Sequence, residues 1–108
     1  MGNLTSTFEE LITEIAAINQ AWKVSKELSP NLGNSLKDLK NRLQVRLLRK
    51  YAPERVYLEL DTATESEEPL YSLRLRQPIG NCWNVEHLPV RVAQEMLSDE
   101  ELKQLIKV

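Results

Sequence analysis

The sequence is poor in the residue types on which most catalytic and metal sites depend. It has one histidine, His87, one cysteine, Cys82, and three isolated glycines, Gly2, Gly33 and Gly80. Without closely spaced glycines there is no phosphate-binding loop and no dinucleotide fingerprint. Two Cys or His side chains are also too few for a structural zinc site, which takes about four. We therefore expect no metal, no cofactor and no enzymatic activity.

Cys82 and His87, five positions apart, are the one pair that nucleophilic catalysis could use. Such a site also needs a group that orients the base and donors that stabilise an oxyanion, and the sequence identifies neither. We favour the interpretation of Cys82 as a small buried apolar side chain and of His87 as a residue at the entry to a helix. A lone cysteine cannot form an intrachain disulfide, which favours a reducing compartment, the cytoplasm.

Long hydrophobic runs are missing as well. No apolar stretch approaches the ~20 residues that cross a bilayer, and the early Glu9, Glu10 and Glu14 are unlike a signal peptide. We expect neither membrane insertion nor secretion. A length of 108 residues with 42% apolar residues suits one globular domain over 1–108.

The first helix is predicted from a cap and from apolar spacing. Thr7 and Glu10 form the pattern of a capping box, and apolar residues recur every three or four positions from there to Trp22. Asn19 falls within this apolar arc. It marks either the mouth of a polar site or, as we favour, a residue that fixes how neighbouring helices pair.

A second helix is predicted over residues 35–51. The segment 28–33, with Pro30 and Gly33, predicts a turn, and Ser35 with Asp38 gives a second capping signal. The short turn favours an antiparallel helical hairpin. The residues expected along its seam are Leu36, Leu39, Leu43, Leu47 and Tyr51. Val45 and Leu48 lie on another side, which predicts a second neighbour for this helix.

The middle of the chain has the period of two strands. Residues 55–60 and 70–76 alternate apolar and polar side chains, which predicts an antiparallel β-hairpin. The turn at Gly80 leaves room for a third short strand over 82–85. Two short helices are expected last, one after Pro89 and one capped by Ser98 with Glu101. The predicted fold class is therefore α+β.

The connection 61–69 is rich in carboxylates. Asp61, Glu65, Glu67 and Glu68 could gather around calcium, but the alternating ligands and the central glycine of a calcium loop are missing. We interpret the segment as a solvated acidic loop.

Positive charge is concentrated between Lys37 and Arg55. This stretch carries a net charge of +5 in a chain whose net charge is −2, so the remainder carries −7. Arg42, Arg46 and Arg49 fall in one row of the second helix, and Arg74 and Arg76 share one face of the predicted hairpin. These five arginines are the candidate partner-binding residues, because a basic surface on an acidic protein attracts anionic partners.

Two kinds of partner fit this surface. A basic helix followed by a basic hairpin is arranged as in a winged-helix domain that binds DNA or RNA, but the chain's pI of about 5.5 is low for a nucleic-acid-binding domain and the hairpin loop is acidic. We therefore expect a non-enzymatic regulatory module that binds another protein or a second copy of itself, with Trp22, Tyr57 or Trp83 as anchors.

Overall fold

The computed structural model describes residues 7–106 and has the predicted α+β architecture. Two helices are followed by a three-stranded antiparallel sheet in the order β1-β2-β3, and then by two short helices. The helices and strands are α1 (Phe8–Ser25), α2 (Pro30–Tyr51), β1 (Val56–Asp61), β2 (Leu70–Ile79), β3 (Cys82–Pro89), α3 (Val90–Met96) and α4 (Asp99–Leu105).

The helix α1 begins where its cap predicts. The Thr7 hydroxyl accepts a hydrogen bond from the Glu10 N–H, and the Glu10 carboxylate accepts one from the Thr7 N–H. The two N-terminal helices are antiparallel, because Phe8 at the start of α1 contacts Tyr51 at the end of α2, with ring centroids 4.9 Å apart. The predicted helical hairpin is confirmed.

The helix α2 begins earlier than predicted. Ser29 is its N-cap, Pro30 stands at its first position, and Ser35, expected to be the cap, lies within the helix. Proline is favourable at that position, because its missing N–H would have no partner there. Gly33 is buried against the C-terminal end of α1, and a Cβ added to it would lie 3.1 Å from the Cα of Lys26, the C-cap residue of α1. Pro30 and Gly33 thus begin the second helix and allow its close approach to the first.

The side of α2 that faces the core also differs from the prediction at one point. Leu43 and Leu47 are buried as expected, but Leu39 is 40% exposed and Lys40, its neighbour, is only 8% exposed. The predicted second neighbour exists, because Val45 and Leu48 are both buried in the core.

The sheet has one face against the helices. Core-facing side chains of neighbouring strands lie opposite one another, as in the pairs Val56 with Leu75 and Leu58 with Leu73. The third strand is longer than the expected 82–85 and ends at Pro89. Its pairing with β2 is irregular near Glu86, which has a positive φ of 58°.

The last two helices complete the core. The Ser98 hydroxyl accepts a hydrogen bond from the Glu101 N–H, which confirms the predicted capping box of α4. Leu102 and Leu105 of this helix are buried. The next residue, Ile106, forms a parallel bridge with Leu58 in β1. No helix over residues 7–106 combines the length and the apolar composition that crossing a membrane requires.

Candidate functional site

The arginine row of α2 lies on the surface, beside α3. Arg42, Arg46 and Arg49 are all exposed, whereas Val45 between them is 3% exposed. These three arginines, with Val45, Lys50 and Met96, line an open groove of about 450 Å³, which we call the basic groove. Its walls are cationic and its floor is apolar.

Arg49 is held by the following part of the chain. Its Nε donates to Glu101 Oε2 at 3.0 Å, and its Nη2 donates to Glu101 Oε1 at 3.3 Å and to the Met96 carbonyl at 3.1 Å. The hydrogen bond from Arg49, followed by that from the Ser98 N–H, lowers the pKa of Glu101. Arg49 therefore connects α2 to α3 and α4, while its side chain stays 53% exposed.

Arg42 and Arg46 are not neutralised in this way. Neither forms an ion pair or a side-chain hydrogen bond with any other of residues 7–106. On the far side of Arg42 the surface continues into a second hollow along α2 and α3, where Asn41 is 5% exposed and its Oδ1 lacks a hydrogen-bond donor within the same range. Positive charge and unused hydrogen-bonding capacity thus lie together along this side of α2.

Arg74 and Arg76 do not join the basic groove. Both alternate with core residues of β2, so they lie on the face of the sheet opposite the helices. Arg74 lies 4.0 Å from the Glu59 carboxylate. The guanidinium of Arg76 lies 4.2 Å from the ring centre of Tyr57, and its Nε donates to the Pro53 carbonyl at 2.9 Å. The five candidate arginines therefore form two separate basic surfaces.

The three candidate aromatic anchors are also apart. Trp83 is 50% exposed beside the β2–β3 turn, and Tyr57 is partly buried under Arg76. Trp22 is partly buried, with the ammonium groups of Lys26 and Lys37 at 4.6 and 5.7 Å from its ring centre. None of the three lines the basic groove.

The interpretation of Cys82 and His87 needs correction. Cys82 is exposed rather than buried, and His87 lies within β3 rather than at the entry to a helix. Five positions of extended strand separate the two by roughly 16 Å, so they form no catalytic pair.

His87 instead lies beside Asp61, the last residue of β1. Its Nε2 is 2.8 Å from Asp61 Oδ2, although Oδ2 has no aligned hydrogen-bond donor over residues 7–106. The other oxygen, Oδ1, accepts hydrogen bonds from the N–H groups of Ala63 and Thr64. Hydrogen bonds from the Thr64 side chain and from these N–H groups lower the pKa of Asp61.

The acidic loop does not gather into a cation site. Asp61 turns towards its own backbone and His87, and Glu68 pairs with Arg91 at 3.3 Å. Within the part of the chain that the structure describes, no three Cys, His, Asp or Glu side chains are placed to hold a metal ion.

Lys40 is the residue that the sequence-based interpretation missed. It lies four positions after Leu36 and three before Leu43, so it falls on the same apolar stripe, and this spacing was the available signal. Its charge also makes it part of the cationic stretch between Lys37 and Arg55. In the structure it is nearly as buried as Leu43.

Comparison with known protein families, curated proteins and solved structures gives no match.

Proposed function

We propose that this protein is a non-enzymatic binding module whose basic groove binds an acidic segment of another protein. The observation that carries the proposal is the pair Arg42 and Arg46, two exposed cations with no ion pair within residues 7–106, above the apolar floor of Val45 and Met96. Arginine next to apolar surface is typical of the residues that dominate protein interfaces.

The expected ligand combines carboxylates with apolar side chains. Carboxylates accept paired hydrogen bonds from guanidinium groups, and a Leu or Met side chain would cover the floor of the groove. Arg49 contributes less additional charge, because Glu101 already binds it. Its role is to keep α3 and α4 in place against α2, so that the groove exists before the partner arrives.

A protein partner suits the charge distribution better than a nucleic acid. A duplex would have to bind a chain with a net charge of −2, and Arg74 and Arg76 face away from the groove, so the helix and the hairpin cannot contact one duplex face together. Non-specific nucleic-acid affinity comes from many simultaneous phosphate contacts.

Cys82, the only cysteine, has no disulfide, and we propose the reducing cytoplasm as the location of this module.

The test measures anisotropy of a fluorescein-labelled peptide in which Glu alternates with Leu. We expect wild type to bind it and the double variant R42A/R46A to bind at least tenfold more weakly, a loss of about 1.4 kcal/mol. The matched control is R74A/R76A, which removes the same charge from the other surface and should bind like wild type. A peptide with Ser in place of Leu tests the apolar floor and should bind more weakly.

Three outcomes would overturn the proposal. One is that no peptide binds at low salt. Another is that the two double variants weaken binding equally, which would indicate that the peptide is attracted by net charge and not by the groove. The third is that a labelled DNA or RNA duplex binds, with steep salt dependence, and is lost in R42A/R46A. Light scattering of the unliganded protein separates a further case: a dimer that R42A/R46A dissociates would identify the acidic segment as that of a second copy.

A further inference from the structure

A cavity separate from the basic groove lies where the helical hairpin meets the end of β3 and the acidic loop. Its volume is about 370 Å³, within the range of small-molecule sites. The residues that matter to its chemistry are Trp22 and Lys23 from α1, Lys37 and Lys40 from α2, and Glu86 and His87 from β3.

The side chain of Lys40 is largely buried, and it has no ion-pair partner in the part of the chain that the structure describes. The residue is 8% exposed, and its ammonium makes no hydrogen bond or ion pair within residues 7–106. Burial lowers its pKa, as do the nearby Lys37 and Lys23, while Glu86 acts in the opposite direction. A buried charge is costly unless it is paired, and no carboxylate among residues 7–106 lies within ion-pairing distance of this lysine.

The carboxylates that line the cavity form no ion pair with Lys40. Glu68 is bound to Arg91 at 3.3 Å, and His87 lies against Asp61. Glu86 is the remaining carboxylate that lines the cavity, and it faces three lysines without coming within ion-pairing distance of Lys40. The interior of the cavity therefore has an excess of positive charge.

Asn19 adds a neutral polar group to the same cavity. It is 4% exposed, and its side-chain amide forms no hydrogen bond with any other residue over 7–106. Two buried polar side chains from different helices, Asn19 and Lys40, thus point to a polar occupant.

We propose that this cavity binds a small organic anion, a carboxylate or a phosphate ester, whose charged group pairs with Lys40 and is flanked by Lys23 and Lys37. The amide of Asn19 would hydrogen-bond a neutral polar atom of the same molecule. The site is distinct from the basic groove, because the two share no lining residue.

The test uses Trp22 as the reporter, in a W83F background where it is the only tryptophan. Inorganic phosphate, phenyl phosphate and citrate are titrated separately at constant ionic strength. We expect a saturable change in Trp22 fluorescence with at least one probe, and at least a tenfold loss of its affinity in K40M. The matched control is K26M, because Lys26 lies 4.6 Å from the Trp22 ring centre but does not line the cavity.

The proposal is overturned if none of the probes saturates up to about 10 mM, beyond the millimolar range of weak binding. It is equally overturned if K26M and K40M lower the affinity alike, since that would indicate general attraction to a cationic surface. Urea unfolding establishes that K40M is folded. R42A/R46A should keep the probe affinity of wild type, so this proposal and that of the basic groove can fail independently.

Discussion

Replacing Lys40 by Met should make the protein more stable. The two side chains have similar length and lack branches, so the substitution mainly removes the charge. Exchange of a buried ion pair for apolar side chains of similar volume is often stabilising by about 1–4 kcal/mol, and a buried charge without a partner is itself destabilising. Because Lys40 borders a cavity and keeps 8% exposure, we expect a gain at the lower end, about 1–2 kcal/mol. In a domain of this size, each kcal/mol raises the melting temperature by about 4–8 °C.

The gain should depend on pH with a definite sign. The pKa of Lys40 is lowered from 10.5 in the folded protein, so between the folded and unfolded pKa values the unfolded chain binds more protons, and the stability of wild type rises with pH. The cost of burying the ammonium is complete below the folded pKa and is relieved as pH rises from there towards 10.5. K40M lacks this term, so its advantage over wild type should shrink with increasing pH.

The assay is urea unfolding of wild type and K40M, followed by circular dichroism, at neutral pH and at several alkaline values. The control is K103M, an exposed position in α4, which should change stability little at any pH. A K40M protein that is less stable than wild type at neutral pH, or an advantage that does not change with pH, would refute the description of Lys40 as a buried charge without a counterion.

Three further substitutions test the fold. Leu47→Ala, at a position with 0% exposure, should lower the free energy of unfolding in urea by about 2–5 kcal/mol. Leu28→Ala, at 81% exposure, should change it little. Equal effects of the two substitutions would contradict the placement of Leu47 in the core. Ser98→Ala should cost about 1 kcal/mol in thermal unfolding because α4 loses its cap, and no loss would exclude the capping box. Gly80→Ala should lower the free energy of unfolding by about 1 kcal/mol, because the φ of Gly80 is +59°. Gly80→Asn should lower it less in the same assay. The opposite order would contradict the left-handed conformation of this turn.

The order of the helices and strands follows from signals that are local in the sequence. The capping boxes at Thr7 and Ser98 place the starts of α1 and α4, and the alternation of residues 55–60 and 70–76 identifies β1 and β2. The predicted start of α2 is wrong because proline and glycine are common both in turns and near the start of a helix. The position of Pro30 is suitable both for a turn and for the first turn of a helix, and the contact of Gly33 with α1 depends on how two helices meet.

The candidate sites depend more on tertiary contacts. Exposure of the arginine row could be predicted from helical periodicity, but its groove exists because α3 packs beside α2 and brings Met96 into the same groove as Val45. The separation of Arg74 from that row follows from which face of the sheet the helices cover. The partner of Arg49, Glu101, is distant in sequence, and no local pattern connects them. Lys40 was missed because a charged residue on an apolar stripe looks like an exception until its neighbours are known.

The bridge between Ile106 and Leu58 has a consequence for aggregation. An outer strand exposes backbone groups on which a neighbouring chain can add, which is a common beginning of fibrous assembly. At its middle, β1 already has Ile106 beside it, and Glu59 and Asp61 are negatively charged residues of the same strand. The chain thus obstructs its own outer strand with a bridge and with carboxylates, and both disfavour extension of the sheet by another molecule.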